Sequence, residues 1–164
     1  MWVEPTITTV WALDFMRDTL YEGRVFRTLN VIDEANRGPL GIDIATSIPA
    51  ARVVAFVAQL IDLHGQPRAI RCDNGPEYVS AALQTWAQRR AIKIEYIQPG
   101  KPQQNAYVER FNRTVRYEWL AQFLFDSIDE VQHFATRWLW NYNHQRPNMA
   151  LGGITPKQRL AMAA

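Results

Sequence analysis

The chain has 164 residues, of which 48% are hydrophobic and 21% charged, with a formal net charge of +2. This is the length of one domain with one substantial core, and the composition excludes a largely disordered chain. One cysteine, Cys72, and three histidines without ligand spacing exclude a disulfide framework, redox chemistry and a zinc cluster.

From the N-terminus, Thr8 to Phe15 is rich in β-branched and aromatic residues and predicts a strand. Asp18 to Gly23 predicts a hairpin turn, Arg24 to Asp33 a second strand, Arg37-Gly38-Pro39 a turn, and Leu40 to Thr46 a third strand, together an antiparallel meander. From Pro49, with Ser47 as the expected cap, Val53, Val54, Val57, Leu60 and Ile61 recur at helical spacing as far as His64-Gly65. The run from Val53 to Leu63 is broken by Gln59 and Asp62 and falls short of the roughly 20 residues of a membrane span. With no secretory leader in view, a soluble cytoplasmic protein with no membrane partner is expected.

Ala69 to Asp73 predicts a short buried strand, Asn74-Gly75-Pro76 a turn, Ser80 to Arg90 a helix and Ile92 to Ile97 a strand. Pro99 to Gln104 has two prolines, a glycine and no apolar residue, and predicts an exposed, mobile loop. Helices are predicted over Asn105 to Ala121 and Ile128 to Asn141, the second with Val131, Phe134, Trp138 and Leu139 inward, and a loop over Asn143 to Pro156. The order predicts an α/β domain with a mixed sheet. Trp86, Trp119, Trp138 and Trp140 fall among apolar residues at helical spacing and are expected in the core.

Charge is unevenly spread. Residues 1–65 carry five Arg against eight acids, residues 66–116 nine Lys and Arg against four, and residues 117–164 four of each sign. The basic middle suits a polyanionic phosphate partner, more so if divalent metal offsets its acids. Three acids stand out there and nearby. Asp14 is expected at the end of one apolar strand and Asp73 directly after another, and strand ends are where the sites of α/β sheets gather. Glu109 lies on a helix whose stripe of Asn105, Glu109, Asn112, Arg113 and Arg116 runs beside an apolar stripe of Val108, Phe111, Val115 and Trp119. Three converging carboxylates repel unless cations lie between them, and hard oxygen donors select Mg²⁺ or Mn²⁺. Two such ions serve the attacking and leaving oxygens of a phosphodiester. Alone, each acid reads as a turn, cap or solvated residue, and Asp18, Asp33, Glu34, Asp43, Asp62 and Glu95 keep that reading.

The words WALDFM around Asp14, RCDNGPEY around Asp73 and QQNAYVERFNRTVR around Glu109, with 35 residues between Asp73 and Glu109, resemble the D-D-E signature of bacterial insertion-sequence transposases with a retroviral-integrase-like core. The tail YNHQRPNMALGGITP is also similar, and the resemblance runs from Trp11 to Gln158. It implies a ribonuclease H-like fold, a five-stranded mixed sheet flanked by helices. It also implies catalysis by Asp14, Asp73 and Glu109 as ligands of two Mg²⁺ or Mn²⁺ ions, with nicking and strand transfer of DNA at one site. Element ends and target are then the DNA partners, and a second copy of the chain, making a dimer, brings two ends together. Arg116 matches the family's basic position seven residues after the glutamate. Asn105 falls where the family favours asparagine and either orients the glutamate or touches DNA. Arg113, Lys101 and Asn74 are further candidate DNA contacts, Asn74 alternatively bracing Asp73.

Two departures stand out: Asn148 replaces a common histidine, and no helix-turn-helix region precedes the core. The expectation is therefore a single integrase-like domain over 1–164, ordered over 5–160, lacking its end-recognition region. A ribonuclease H-like nuclease without joining activity and an inactive DNA-binding or dimerisation remnant remain as alternatives.

Overall fold

The computed structural model describes residues 10–35, 38–98, 100–146, 153 and 155–163. The first predicted strand forms β1 (Val10–Thr19), which pairs antiparallel with β2 (Val25–Asp33), and β2 pairs antiparallel with β3 (Gly38–Ala45). The expected meander is present, but β1 is longer than predicted. Its turn occupies 20–24, closed by the Leu20 N–H donating to the Arg24 carbonyl at 2.9 Å, with Gly23 at φ 98°. Asp14 consequently lies within its strand and not at its end.

Pro39, predicted in a turn, lies in β3 instead. β3 is an edge strand whose ladder shifts register opposite Val31 and Ile32, so the missing amide breaks no central ladder. Residues 8, 9 and 37, named in the strand and turn predictions, lie outside the described residues, as do Asn148 and most of the tail motif.

The chain continues through α1 (Ala50–His64), β4 (Ala69–Cys72), α2 (Ala81–Arg89) and β5 (Lys93–Tyr96). β4 runs parallel to β1 and β5 parallel to β4, giving a five-stranded mixed sheet in the order β3-β2-β1-β4-β5 among the described residues. Ser47 does not cap α1. Pro49 takes the cap position with no side-chain hydrogen bond. Ser80 does cap α2, accepting from the Leu83 N–H at 3.3 Å. α1 can lie close on the sheet because Gly41 has no Cβ; one there would stand 2.7 Å from the Phe56 ring.

The predicted loop at 99–104 ends in a 3₁₀ turn (Pro102–Asn105) started by its own proline, followed by α3 (Ala106–Val115). The single helix predicted over Asn105 to Ala121 is in fact two pieces. Past α3 the chain widens into a π-helical turn (Arg116–Leu120), where the Ala121 N–H reaches five residues back to the Arg116 carbonyl at 2.9 Å. α4 (Ile128–His144) is capped by Ser127, and Pro156 opens α5 (Pro156–Ala163), where a loop is predicted over Asn143 to Pro156.

The two faces of the sheet cover separate cores, as the period of two along a strand requires. Trp11, Leu13, Leu29 and Val31 face α1 and α2, with Val53, Val57, Leu60 and Leu83. Ala12, Met16, Ile32, Ile42 and Ile44 face α3 and α4, with Val108, Phe111, Val115, Trp119 and Val131. Trp86 and Trp138 pack against these cores half-buried, but Trp140 is 53% exposed and stacks on His144 instead of joining them. Several acids read as solvated are paired. Asp43 holds Arg52, Asp18 holds Arg116, and Glu34 and Glu95 hold Arg71 from either side. No helix among the described residues is long and apolar enough to cross a membrane.

Trp119 is buried and packs on Phe125, Phe134 and Trp138. Trp119→Ala is expected to cost about 3–5 kcal/mol of unfolding free energy, read as a lower urea midpoint with unchanged slope.

Candidate active site

β4 pairs with β1 only at Val10, Trp11 and Ala12, opposite Ala69, Ile70 and Arg71. Carried onward, that parallel register sets Asp14 beside Asp73, where β4 has ended and the chain turns away. This opening at the carboxyl end of a parallel strand is where α/β sheets place their sites. The turn itself braces Asp73: the Gly75 N–H donates to its Oδ1 at 2.7 Å. A Cβ on Gly75 would stand 3.0 Å from that oxygen, a tight contact that the Asp73 carboxylate would have to yield to by a few tenths of an ångström. Asn74 points elsewhere, its Nδ2 donating to the Ile97 carbonyl at 3.2 Å and tying the turn to the end of β5.

Asp14 lies on the face of the sheet that meets α3. Its Oδ1 accepts from the Phe15 N–H at 2.9 Å, and its Oδ2 accepts from Asn112 Nδ2 at 2.7 Å. Asn112 Oδ1 in turn accepts from Asn30 Nδ2 at 2.7 Å. Asn112 was visible in the sequence only as part of a polar stripe, and Asn30 not at all. The signal available for Asn30 was its place in an apolar strand. The Asp14 carboxyl is pushed up from its ordinary 3.8 to about 6, mainly by burial and further by the charges of Asp73 and Glu109, against the two hydrogen bonds that hold it down. The three acids therefore share one electrostatic field. Cys72, next to them, is buried and pushed up to about 12 by that burial and the same carboxylates, so it stays a protonated thiol.

Glu109 sits in the first turn of α3, where a negative charge suits the helix dipole, and is exposed. It borders an open groove of about 500 Å³ with Arg17, Asn112, Arg113, Arg116 and Tyr117. Arg113 is exposed, whereas Arg116 is engaged: it donates to Asp18 Oδ2 at 2.8 Å and to the Arg17 carbonyl at 3.2 Å. Lys101 is exposed before the 3₁₀ turn. Asn105 is only 5% exposed, which favours an internal role over contact with DNA.

The donor set fits a hard divalent cation, since it offers carboxylate oxygens with mutual repulsion and a buried member starved of countercharge. Among the described residues no three such side chains already stand close enough to hold one ion.

Because the folded state holds the Asp14 proton more tightly than the unfolded chain, the stability this group contributes is fully present below about pH 3.8 and lost as pH rises through about 6. Asp14→Asn is expected to remove that loss and raise metal-free stability at pH 7.5 by about 1–2 kcal/mol, with little gain at pH 4. Thermal melts at the two pH values check this, and an equal gain at both would remove the burial argument.

Two models of the integrase core domain match the chain, over residues 7–102 and 90–156. The protein of insertion element IS476 from Xanthomonas euvesicatoria is 38% identical over 90% of this chain and 43% of its own length. That of insertion element IS407 from Burkholderia multivorans is 35% identical over 91% and 54%. The chain thus spans about half the length of these curated relatives. Among solved structures, the HTLV-2 integrase catalytic core domain in complex with magnesium superposes with a TM-score of 0.70 at 19% identity, covering 92% of this chain and 95% of that one. The catalytic core domain of BIV integrase gives 0.72 at 17%, covering 95% of each. At such identities the likeness concerns the fold, which is the expected ribonuclease H-like arrangement. With the first model alone matching more than half of its residues, the chain belongs to the integrase core domain family.

Proposed function

We propose that this chain is the catalytic core of a DNA transposase that nicks the ends of an insertion element and joins them to a target, with Asp14, Asp73 and Glu109 as its catalytic acids. What carries the reading is the strand register that sets Asp14 beside Asp73, with Asn112 of the Glu109 helix bonded to Asp14, in a chain of the integrase core family. Support for DNA as substrate comes from the insertion-element relatives and from the cations beside Glu109.

Asp14, Asp73 and Glu109 would hold two Mg²⁺ or Mn²⁺ ions, which supply activation of the attacking oxygen and stabilisation of the leaving one. The chain's own residues then have separate tasks. Asn112 and the Phe15 amide fix both oxygens of Asp14, and the Gly75 amide fixes Asp73. Arg17 and Arg113 flank Glu109 and suit the phosphates on either side of the scissile bond. In nicking, water attacks phosphorus and the 3′-oxygen leaves with a proton. In joining, that 3′-hydroxyl attacks a target phosphodiester and a target 3′-oxygen leaves. Each step breaks one phosphodiester P–O bond and forms another P–O bond, so no energy-supplying cofactor is required.

Two ends must meet, so a dimer on DNA is the expected working form, in the cytoplasm at the nucleoid. Residues 1–164 then form a single core domain.

An assay with element-end duplex, target duplex and Mn²⁺ tests the proposal, because joined product separates a transposase from a nuclease and from an inactive remnant. Asp73→Asn and Glu109→Gln are each expected to lower nicking and joining about 1,000-fold or more with unchanged melting. Wild-type-like joining by either variant would remove the triad. In DNA-binding titrations over a salt range, Arg113→Ala and Arg116→Ala should each reduce the salt slope by about 1. Asp18→Asn, which frees Arg116, should tighten binding; an unchanged affinity would show that Arg116 does not reach phosphate.

A further inference from the structure

Thr28 and Asn30 are both 0% exposed and lie on the face of β2 that also carries Phe26 and Ile32, beside Ile42 and Ile44 of β3. Two polar side chains in that setting are costly unless bonded. They are bonded in one direction. Thr28 Oγ1 donates to Asn30 Oδ1 at 3.0 Å, Asn30 Nδ2 donates to Asn112 Oδ1 at 2.7 Å, and Asn112 Nδ2 donates to Asp14 Oδ2 at 2.7 Å. Each amide uses its carbonyl as acceptor on one side and its NH₂ as donor on the other, which fixes which way it is flipped. A hydroxyl starts the chain and a carboxylate ends it, so every donor points towards Asp14.

Strand pairing alone does not produce this detour. Asn30 is the antiparallel partner of Asp14 across β1 and β2, and Thr28 is that of Met16, so the three polar groups rise from the same face of neighbouring positions. Asn30 nevertheless reaches over to α3, and Asn112 brings the bond back. Asn112 stands three residues after Glu109, so one bonded path spans the strand that carries Asp14 and the helix that carries Glu109.

We infer that Thr28 and Asn30 are positioning residues for the metal-binding carboxylate of Asp14, acting through Asn112 to fix one oxygen and to set α3 against β1. The role rests on the proposed metal-binding reading of Asp14. Mutual satisfaction of buried polar groups does not account for it, because the path runs beyond the buried pair: Asn112 is half-exposed at the open groove, where water reaches it, and its Nδ2 is nonetheless bonded to Asp14.

Thr28→Val, close in shape and suited to an apolar setting, removes the first donor; Thr28→Ser keeps it. In the full chain, Mn²⁺ affinity is read by electron paramagnetic resonance of the free ion, and the relay by hydrogen exchange of the Asn112 side-chain NH₂ signals in the metal-free protein. Thr28→Val is expected to melt no lower than wild type, to bind Mn²⁺ about threefold more weakly and to speed Asn112 exchange, with Thr28→Ser restoring both. Asn30→Leu should weaken Mn²⁺ about tenfold. Affinity and exchange unchanged in Thr28→Val overturn the inference, as does a loss that follows melting temperature and is not restored by serine. If wild type shows no Mn²⁺ binding that Asp14→Asn abolishes, the metal reading fails; unchanged Asn112 exchange in Thr28→Val then removes the relay as well, and faster exchange retains it as a device that orients Asp14.

Discussion

The carboxylate of Asp14 sets the terms for what surrounds it. A charged group half-buried between a sheet and a helix is unfavourable unless donors and countercharge reach it. This fold supplies one donor to each oxygen, from the Phe15 amide and Asn112, and adds two further negative charges to the field around it. The rest of the local architecture follows from that imbalance. β4 stops short so that Asp73 can flank Asp14, the turn at Gly75 brings an amide to Asp73, and α3 packs its apolar stripe inward so that its polar edge arrives at the opening. The raised Asp14 carboxyl is the mark of that imbalance: at neutral pH its charge costs the fold stability.

The sheet explains why these residues and no others meet. An antiparallel hairpin alone would leave Asp14 on an exposed ribbon. Adding β4 in parallel covers the first half of β1 and leaves the second half open, and this boundary falls at Asp14. Helices on both faces then decide which groups are wet. Leu13 and Phe15, its neighbours in sequence, turn to the α1 and α2 side, where Phe15 stacks on Tyr78 and carries the Arg27 guanidinium at 3.9 Å from its ring centroid.

Much of this was legible in the sequence. Strand and helix order, the meander, and the two stripes of α3 follow from periodicity of two and 3.6, which is a local property of side-chain spacing. The acids were legible because apolar strands delivering carboxylates are locally inconsistent and therefore conspicuous. What was not legible depends on pairing at long sequence separation. Asn30 and Asn112 are 82 residues apart, and Asp18 and Arg116 are 98 apart. Ser47 has a capping side chain, yet Pro49 fixes the start of α1 instead. Pro39 and Pro156 signal turns by composition, but an edge strand accepts the first and a helix start the second. Trp140 fits the apolar pattern of α4, but its ring lies on His144 one turn on and stays exposed.

The π-helical turn carries a further consequence, for length instead of chemistry. Its wider winding accommodates Arg116 to Leu120 so that Arg116 faces the groove while Trp119 and Leu120 still reach the core. Deleting one residue here would let the turn relax to ordinary α-helical winding and leave the residues after it close to their present facing, because a π turn holds one residue more than an α turn. Adding a residue has no such outlet: everything after it would rotate by about 100° about the helix axis, carrying Trp119 away from Phe125 and Phe134. This short stretch therefore tolerates the loss of a residue better than the gain of one.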